Sequence, residues 1–326
     1  MKYSITEENL DNLHSYWNNN RPDLNWASVF VLPSWLEVWW QVFGSGAKLF
    51  LRAVRQGENI IGIAPLLLKE KTVSFVGSVD VCDYLDFIVA PGRENDFFST
   101  LLDDLREKGI NHLDLKPVRP DATVLTQLVA IAQQRGYEVL RTPEDVSLEL
   151  ELPPDWEEYL SLLTTKQRHE VRRKLRRLSE AGNVDYHFVE DGAVVPDAMN
   201  TFLKMFTESR PDKAIFLTDR MESFFRLLAA TMAEAGLLRL GVLELDKQPM
   251  AMIICFDYND CVYLYNSGYD PEYNYLSAGL LSKALAIKDS IQRGRKRFDF
   301  LKGAEPYKYH LGGREVPLYR CQINIK

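Results

Sequence analysis

Six titratable side chains crowd one stretch of the chain: Asp299, Lys302, Glu305, Tyr307, Lys308 and His310. They lie in Arg-Phe-Asp-Phe-Leu-Lys-Gly-Ala-Glu-Pro-Tyr-Lys-Tyr-His-Leu-Gly-Gly, residues 297–313. The stretch begins as a strand, with Phe298, Phe300 and Leu301 apolar, and turns at Gly303 and Pro306. A strand that breaks into a turn sets such groups at a sheet edge, facing a cleft. Carboxylates there take protons and lysines hold negative charge, so the set suits acid–base and charge-stabilising chemistry. A solvated polar turn has the same composition, and the residues alone leave both readings open.

The chain that must position these groups has 326 residues, enough for two ordinary domains. A formal net charge of −7 argues against general nucleic-acid binding. Four cysteines and five histidines are scattered, with no metal-ligand or disulfide spacing, so buried free thiols and no metal are expected. The polar, acidic N-terminus has no signal-peptide pattern, and the longest apolar run, Ile60–Leu68, is short and holds Pro65. These features predict a soluble cytoplasmic protein without a membrane span.

The first half reads as a mixed α/β unit. A helix is expected over 6–19 with Thr6 as its cap, and a second runs from Phe30 to Gly44 with Pro33 near its start. Trp35, Leu36, Trp39, Trp40 and Phe43 follow helical spacing and are assigned to the core. Strands are expected at 48–55, 59–68, 72–76, 82–89 and 110–115, helices at 93–108 and 121–135, and an extended run at 137–152. Asp83 and Asp86 are unusual in the apolar run at 82–89. They read either as turn aspartates bonded to backbone or, with Tyr84, as groups facing a substrate. Pro153-Pro154 marks the expected boundary, giving domains 1–153 and 154–326.

A basic helix over 166–178 follows the boundary. Asp155 caps the helix before it, and Thr164-Thr165 offers a fresh cap. Val171, Leu175 and Leu178 form one apolar stripe, and Arg168, Arg172, Arg173, Arg176 and Arg177 cover the rest. This is a solvated face, an anion site for substrate phosphates, or an RNA or membrane surface. Further on come a strand at 184–189, helices at 196–209 and 219–235, and strands at 237–245, 249–258 and 261–267 joined by tight turns. Ser277 is expected to cap a helix ending at Gln292. Small residues at Ser277, Ala278 and Gly279 let a pyrophosphate approach free amides, and a plain capped helix fits them equally. A last strand is expected over 317–325.

Several of these pieces resemble one family in their order. They are Ser-Gly-Tyr-Asp-Pro-Glu-Tyr (267–273), Leu-Ser-Ala-Gly-Leu-Leu (276–281), and Phe-Asp-Phe-Leu-Lys-Gly-Ala-Glu-Pro-Tyr-Lys (298–308) with Gly312 close behind. Pro-Ser-Trp-Leu-Glu-Val-Trp-Trp (33–40), Ile-Ala-Pro-Leu (63–66), Asp-Tyr-Leu-Asp-Phe (83–87) and the basic helix add to it. Together they resemble GNAT-fold acyltransferases of the Fem-like group that includes acetyltransferases of cellulose and exopolysaccharide biosynthesis. The resemblance implies an α+β fold of tandem GNAT-like domains, each a mixed, mainly antiparallel sheet flanked by helices.

The resemblance also implies transfer of an acyl group, from acyl-CoA (acetyl-CoA above all) to an amine or hydroxyl of a saccharide, amino-sugar or related cell-envelope precursor. Ser277, Ala278 and Gly279 then stand where GNAT folds bind the donor pyrophosphate, with Lys302 on the donor side. They differ from the Gln/Arg-x-x-Gly-x-Gly/Ala signature usual there. Such transfer needs a base, oxyanion donors and an acid. The implied roles are Asp299 or Glu305 as base, Tyr307 as acid, and Lys308 stabilising negative charge. Asp83, Tyr84, Asp86, Arg168, Arg172 and Arg210 are candidates for holding the acceptor. Two rivals stand beside this reading: a Fem-type transferase using aminoacyl-tRNA, and a non-catalytic two-lobed binding module.

Overall fold

A computed structural model describes residues 3–18, 24–78 and 80–325. They form two compact units, Met1–Val146 with Val316–Lys326, and Ser147–Glu315. The expected division at Pro153-Pro154 and this one differ at both ends. The last strand groups with the first unit because Tyr319–Asn324 pair antiparallel with residues 112–118.

The first unit contains, in chain order, β1 (Tyr3–Glu8), α1 (Leu10–Asn18), α2 (Pro33–Phe43), β2 (Lys48–Gln56), β3 (Asn59–Lys69), β4 (Thr72–Phe75), β5 (Ile88–Val89), α3 (Glu94–Glu107), β6 (His112–Val118), α4 (Val129–Gln134) and the start of β7 (Glu138–Glu151). Its strands run in the order β1-β2-β3-β4-β6, followed by the last strand of the chain, with β5 on β3. Pro33 opens α2 and Gly44 ends it, and Trp35, Leu36 and Trp39 are buried as their spacing requires. Trp40 and Phe43 are half-buried.

Two expectations in this unit are corrected. Residues 3–8 are a strand rather than the start of a helix, because Tyr3–Glu8 pair residue by residue with Leu51–Gln56. The helix begins at Leu10, and position 19 of the expected helix lies outside the described residues. The run at 82–89 is strand only at Ile88–Val89. Asp86 explains this. Its carboxylate accepts from Thr123 N–H (2.7 Å), Thr123 Oγ1 (2.7 Å) and Val124 N–H (3.3 Å). The segment is thereby hooked onto the π-helical turn Val124–Leu128 that leads into α4.

The second unit contains the end of β7, α5 (Trp156–Leu162), α6 (Thr165–Ser179), β8 (Val184–Val189), α7 (Val195–Ser209), α8 (Pro211–Phe216), α9 (Asp219–Glu234), β9 (Leu238–Leu245), β10 (Gln248–Tyr258), β11 (Cys261–Tyr269), α10 (Ala278–Gln292), β12 (Arg297–Lys302) and α11 (Pro306–His310). The final strand β13 (Arg314–Asn324) leaves it for the first unit. The strand order is β7-β12-β11-β10-β9-β8, mixed and mainly antiparallel, with β11 and β12 parallel.

Capping fixes the helix starts. Asp155 accepts from Glu158 N–H, and Thr164 with Gln167 forms a reciprocal capping box at the head of α6. Val171 and Leu178 are buried, and Leu178 joins Leu243, Met250, Leu276, Ala278 and Leu281 in one cluster with Leu175 against it. α8 and α11 are not among the helices expected from sequence. Each is a single short turn opened by proline, which periodicity does not reveal. α7 packs tightly on β11: a Cβ on Gly268 would stand 2.5 Å from Phe206 N.

Candidate active site

The site begins where two strands part. β11 and β12 pair only over Cys261–Tyr263 and Arg297–Asp299. Beyond that point β12 stays with β7, through Lys302 opposite Ser147, while β11 stays with β10 as far as Tyr269 opposite Ala251. Both strands are bulged at the parting. Tyr265 is the extra residue of β11, since Leu264 faces Cys255 and Asn266 faces Ile254. Phe300 is the extra residue of β12, and Leu301 after it takes a left-handed φ of 63°.

Separated strands expose backbone groups that need other partners. Two lysines supply them, and a third lies close by. Lys308, buried on α11, donates to Leu301 O at 2.9 Å and Lys302 O at 2.6 Å, and pairs with Glu305 Oε2 at 2.9 Å. Lys213 on α8 donates to Ser267 O of β11. Lys283, buried on α10, donates to Gly279 O at 2.6 Å and lies 4.8 Å from the centre of the Tyr307 ring. Lys283 therefore brings the two stretches singled out from sequence, 277–279 and 299–308, to one place.

The charges there act on one another. Burial pulls the Lys283 amine down to about 7, helped by Lys213 and Lys308 and opposed by Cys255 and Glu305. Burial, with Arg210, pulls Lys213 down to about 8, against Asp212 and Glu305. Burial, then Glu305, pushes the Tyr307 hydroxyl well above its ordinary range, so it stays protonated and able to donate a hydrogen bond. Glu305 stands before α11 with no side-chain cap bond, and its side chain is 41% exposed.

Other expected site residues take different places. Asp299 is fully buried, and its Oδ1 accepts from Leu301 N–H at 2.8 Å and Ser147 Oγ at 3.3 Å. Those bonds brace the bulge. Ser277 is the residue before α10, but its φ is 59° and its side chain makes no cap bond. Ala278 is buried, and a Cβ on Gly279 would meet the Tyr269 ring at 2.8 Å. Lys302 is half-buried at the end of β12. Arg210 is exposed and forks onto Asp212 at 2.9 and 2.8 Å.

On α6, Arg172 pairs with Glu157 and Arg173 with Glu170, while Arg168 has no side-chain partner among the described residues. Arg177 lies 5.8 Å from the Tyr275 ring. Asp83, Tyr84 and Asp86 belong to the first unit. Tyr84 is buried, with Arg119 5.0 Å from its ring centre. The four cysteines are buried and free. Asp185, His187 and Glu244 bring ligand-type atoms within 4.8 Å of one another on β8 and β9, where His187 already bonds Asp185.

Lys213 and Lys283 are not singled out by the sequence. Lys283 had a signal: it falls four residues before Ile287 and four after Gly279, on the apolar side of its helix. A lysine there must be buried with a partner. Lys213 had none, because α8 is too short to show a period.

Residues 165–309 match the family described as acetyltransferase (GNAT) domain. No curated protein sequence matches the chain. Among solved structures, FemX is similar at 14% identity and a TM-score of 0.66, covering 97% of this chain and 96% of that one. L-PGS from Bacillus licheniformis is similar at 10% identity and a TM-score of 0.59, over 97% and 92%. A conserved protein of unknown function from Bacteroides thetaiotaomicron is similar at 10% identity and a TM-score of 0.58, over 99% and 100%. These likenesses support the GNAT-like fold of mixed sheets flanked by helices. No helix among the described residues is long and apolar enough to cross a membrane. Residues 165–309 thus carry the acetyltransferase (GNAT) domain, and the protein is an acyltransferase.

Proposed function

We propose that the protein moves an acyl group, acetyl above all, from a CoA thioester to an amine or hydroxyl of a saccharide, amino-sugar or related cell-envelope precursor. The parting of β11 from β12 carries the reading. A thioester laid between the strands meets bulged backbone at Tyr265 and Asn266, the Tyr307 hydroxyl and the Lys283 amine beside it. Glu305 takes the base role in preference to Asp299, whose oxygen is engaged inside the sheet. Tyr307 donates to developing negative charge, and Lys308 holds Glu305 and both carbonyls of the strand end. Ser277–Gly279 and Lys302 flank the donor. Arg168, Arg172 and Arg210 are the candidates on the acceptor side. We read each unit as one GNAT-like half, with the donor in the second.

A second reading has an observation in its favour. The fold is also that of FemX and L-PGS, and α6 carries a row of arginines that suits an aminoacyl-tRNA donor. Against it, Arg172, Arg173 and Arg176 each have a carboxylate within 4.0 Å, which takes up much of their field. A melting series with CoA thioesters, nucleotide sugars and charged tRNA separates the two. A donor at a hundredfold excess over its Kd stabilises by about 3 kcal/mol. Stabilisation by CoA compounds supports the first reading, and salt-sensitive stabilisation by tRNA alone replaces it with the second.

A further inference from the structure

α8 carries a lysine to which the proposed reaction gives no task. Lys213 is half-buried, its Nζ donates to Ser267 O in the part of β11 that has left β12, and it sits 4.8 Å from the Phe206 ring centre. Arg210 and Asp212 face it from its own segment and Glu305 from the turn before α11, while Lys283 on α10 lies near enough to feel its charge. One N–H of the amine is held by the Ser267 carbonyl. When the amine is neutral its lone pair is left to point elsewhere. With the pKa near 8, roughly one molecule in ten carries that neutral amine at pH 7.

We infer that Lys213 is a self-acylation site, modified by the thioester bound in the strand opening. The inference rests on the CoA-thioester reading above. The Nζ lone pair attacks the thioester carbonyl carbon, an N–C bond forms and the C–S bond breaks. The proton lost by nitrogen goes to the departing thiolate, directly or by way of Glu305. The products are an acyl-lysine and a free thiol. The amide has no charge and fills space beside the Ser267 carbonyl, so the modified protein turns over more slowly. Lys283 and Lys308 are less suited: both are buried, and the Lys308 amine is held by three oxygens.

The test incubates the full chain with acetyl-CoA and no acceptor, followed by intact mass and peptide mapping. Exposed Lys166 and Lys247 serve as internal references. The expected result is one acetyl group at Lys213, gained at least about tenfold faster than at either reference. The rate saturates with acetyl-CoA, desulfo-CoA blocks it, and Lys213→Arg abolishes it while still being stabilised by desulfo-CoA. Labelling of Lys213 no faster than the references, in protein that desulfo-CoA does stabilise, overturns the inference and leaves the donor reading standing. Absence of any stabilisation by CoA compounds removes the donor reading and the inference with it.

Discussion

Replacing Lys308 by methionine tests how the opening is held. The amine is buried and serves three oxygens: Leu301 O at 2.9 Å, Lys302 O at 2.6 Å and Glu305 Oε2 at 2.9 Å. Methionine keeps the stem and removes every donor. Two strand-end carbonyls beside a bulge then have no lysine partner, and each unsatisfied buried group costs about 1–3 kcal/mol. The Glu305 pair adds little, because that carboxylate is 41% exposed and screened. Methionine is easier to bury than an ammonium, which offsets part of the loss. The expected net destabilisation is about 2–4 kcal/mol. Urea unfolding gives the total, and hydrogen exchange in peptides covering 297–313 shows whether the loss is local. A change below about 0.5 kcal/mol, with exchange in that stretch unaltered, refutes the claim that this lysine holds the strand end.

Lys283→Met probes the second buried amine. The folded amine releases its proton near 7, whereas the unfolded one holds it to about 10.4, so stability should rise with pH between those values by up to about 1.4 kcal/mol per unit. In Lys283→Met that slope is lost in urea titrations at pH 7, 8 and 9, and an unchanged slope contradicts the assignment. Gly268→Ala places a methyl group 2.5 Å from the Phe206 nitrogen and should cost about 1–3 kcal/mol, read as a lower melting temperature; wild-type stability would show that α7 yields freely. Asp86→Ala removes three bonds to the turn before α4 and should cost about 1–2 kcal/mol with the acceptor KM unchanged, whereas a raised KM in stable protein would restore its acceptor role.

Much of the fold was legible because its elements carry periodic or capping signals. The Trp35–Trp39 stripe, the Asp155 and Thr164 caps and the strands of the second half appear within a few residues of their expected ends. Where local signals and long-range pairing disagreed, pairing prevailed. Thr6 looked like a helix cap until residues 51–56 were available to pair with Tyr3–Glu8. Short proline-led turns such as α8 and α11 have no period to read, and α8 positions Lys213. The site was half legible. Spacing singled out Glu305, Tyr307 and Lys308 as a group, but nothing local distinguishes Glu305 from Asp299. Only the register of β12 on β7 shows that Asp299 turns into the sheet. Lys283 was hidden by the apolar residues around it.

The central claim is that the parted strands hold a thioester beside Glu305. Thiol release from acetyl-CoA with a panel of sugar and amino-sugar acceptors, compared between the wild type and Glu305→Gln, tests it most directly. The account predicts that the variant still binds CoA as tightly as the wild type while its turnover falls on the order of a hundred- to ten-thousand-fold. Equal turnover in the two proteins, or no thiol release from a wild type that CoA fails to stabilise, would contradict it.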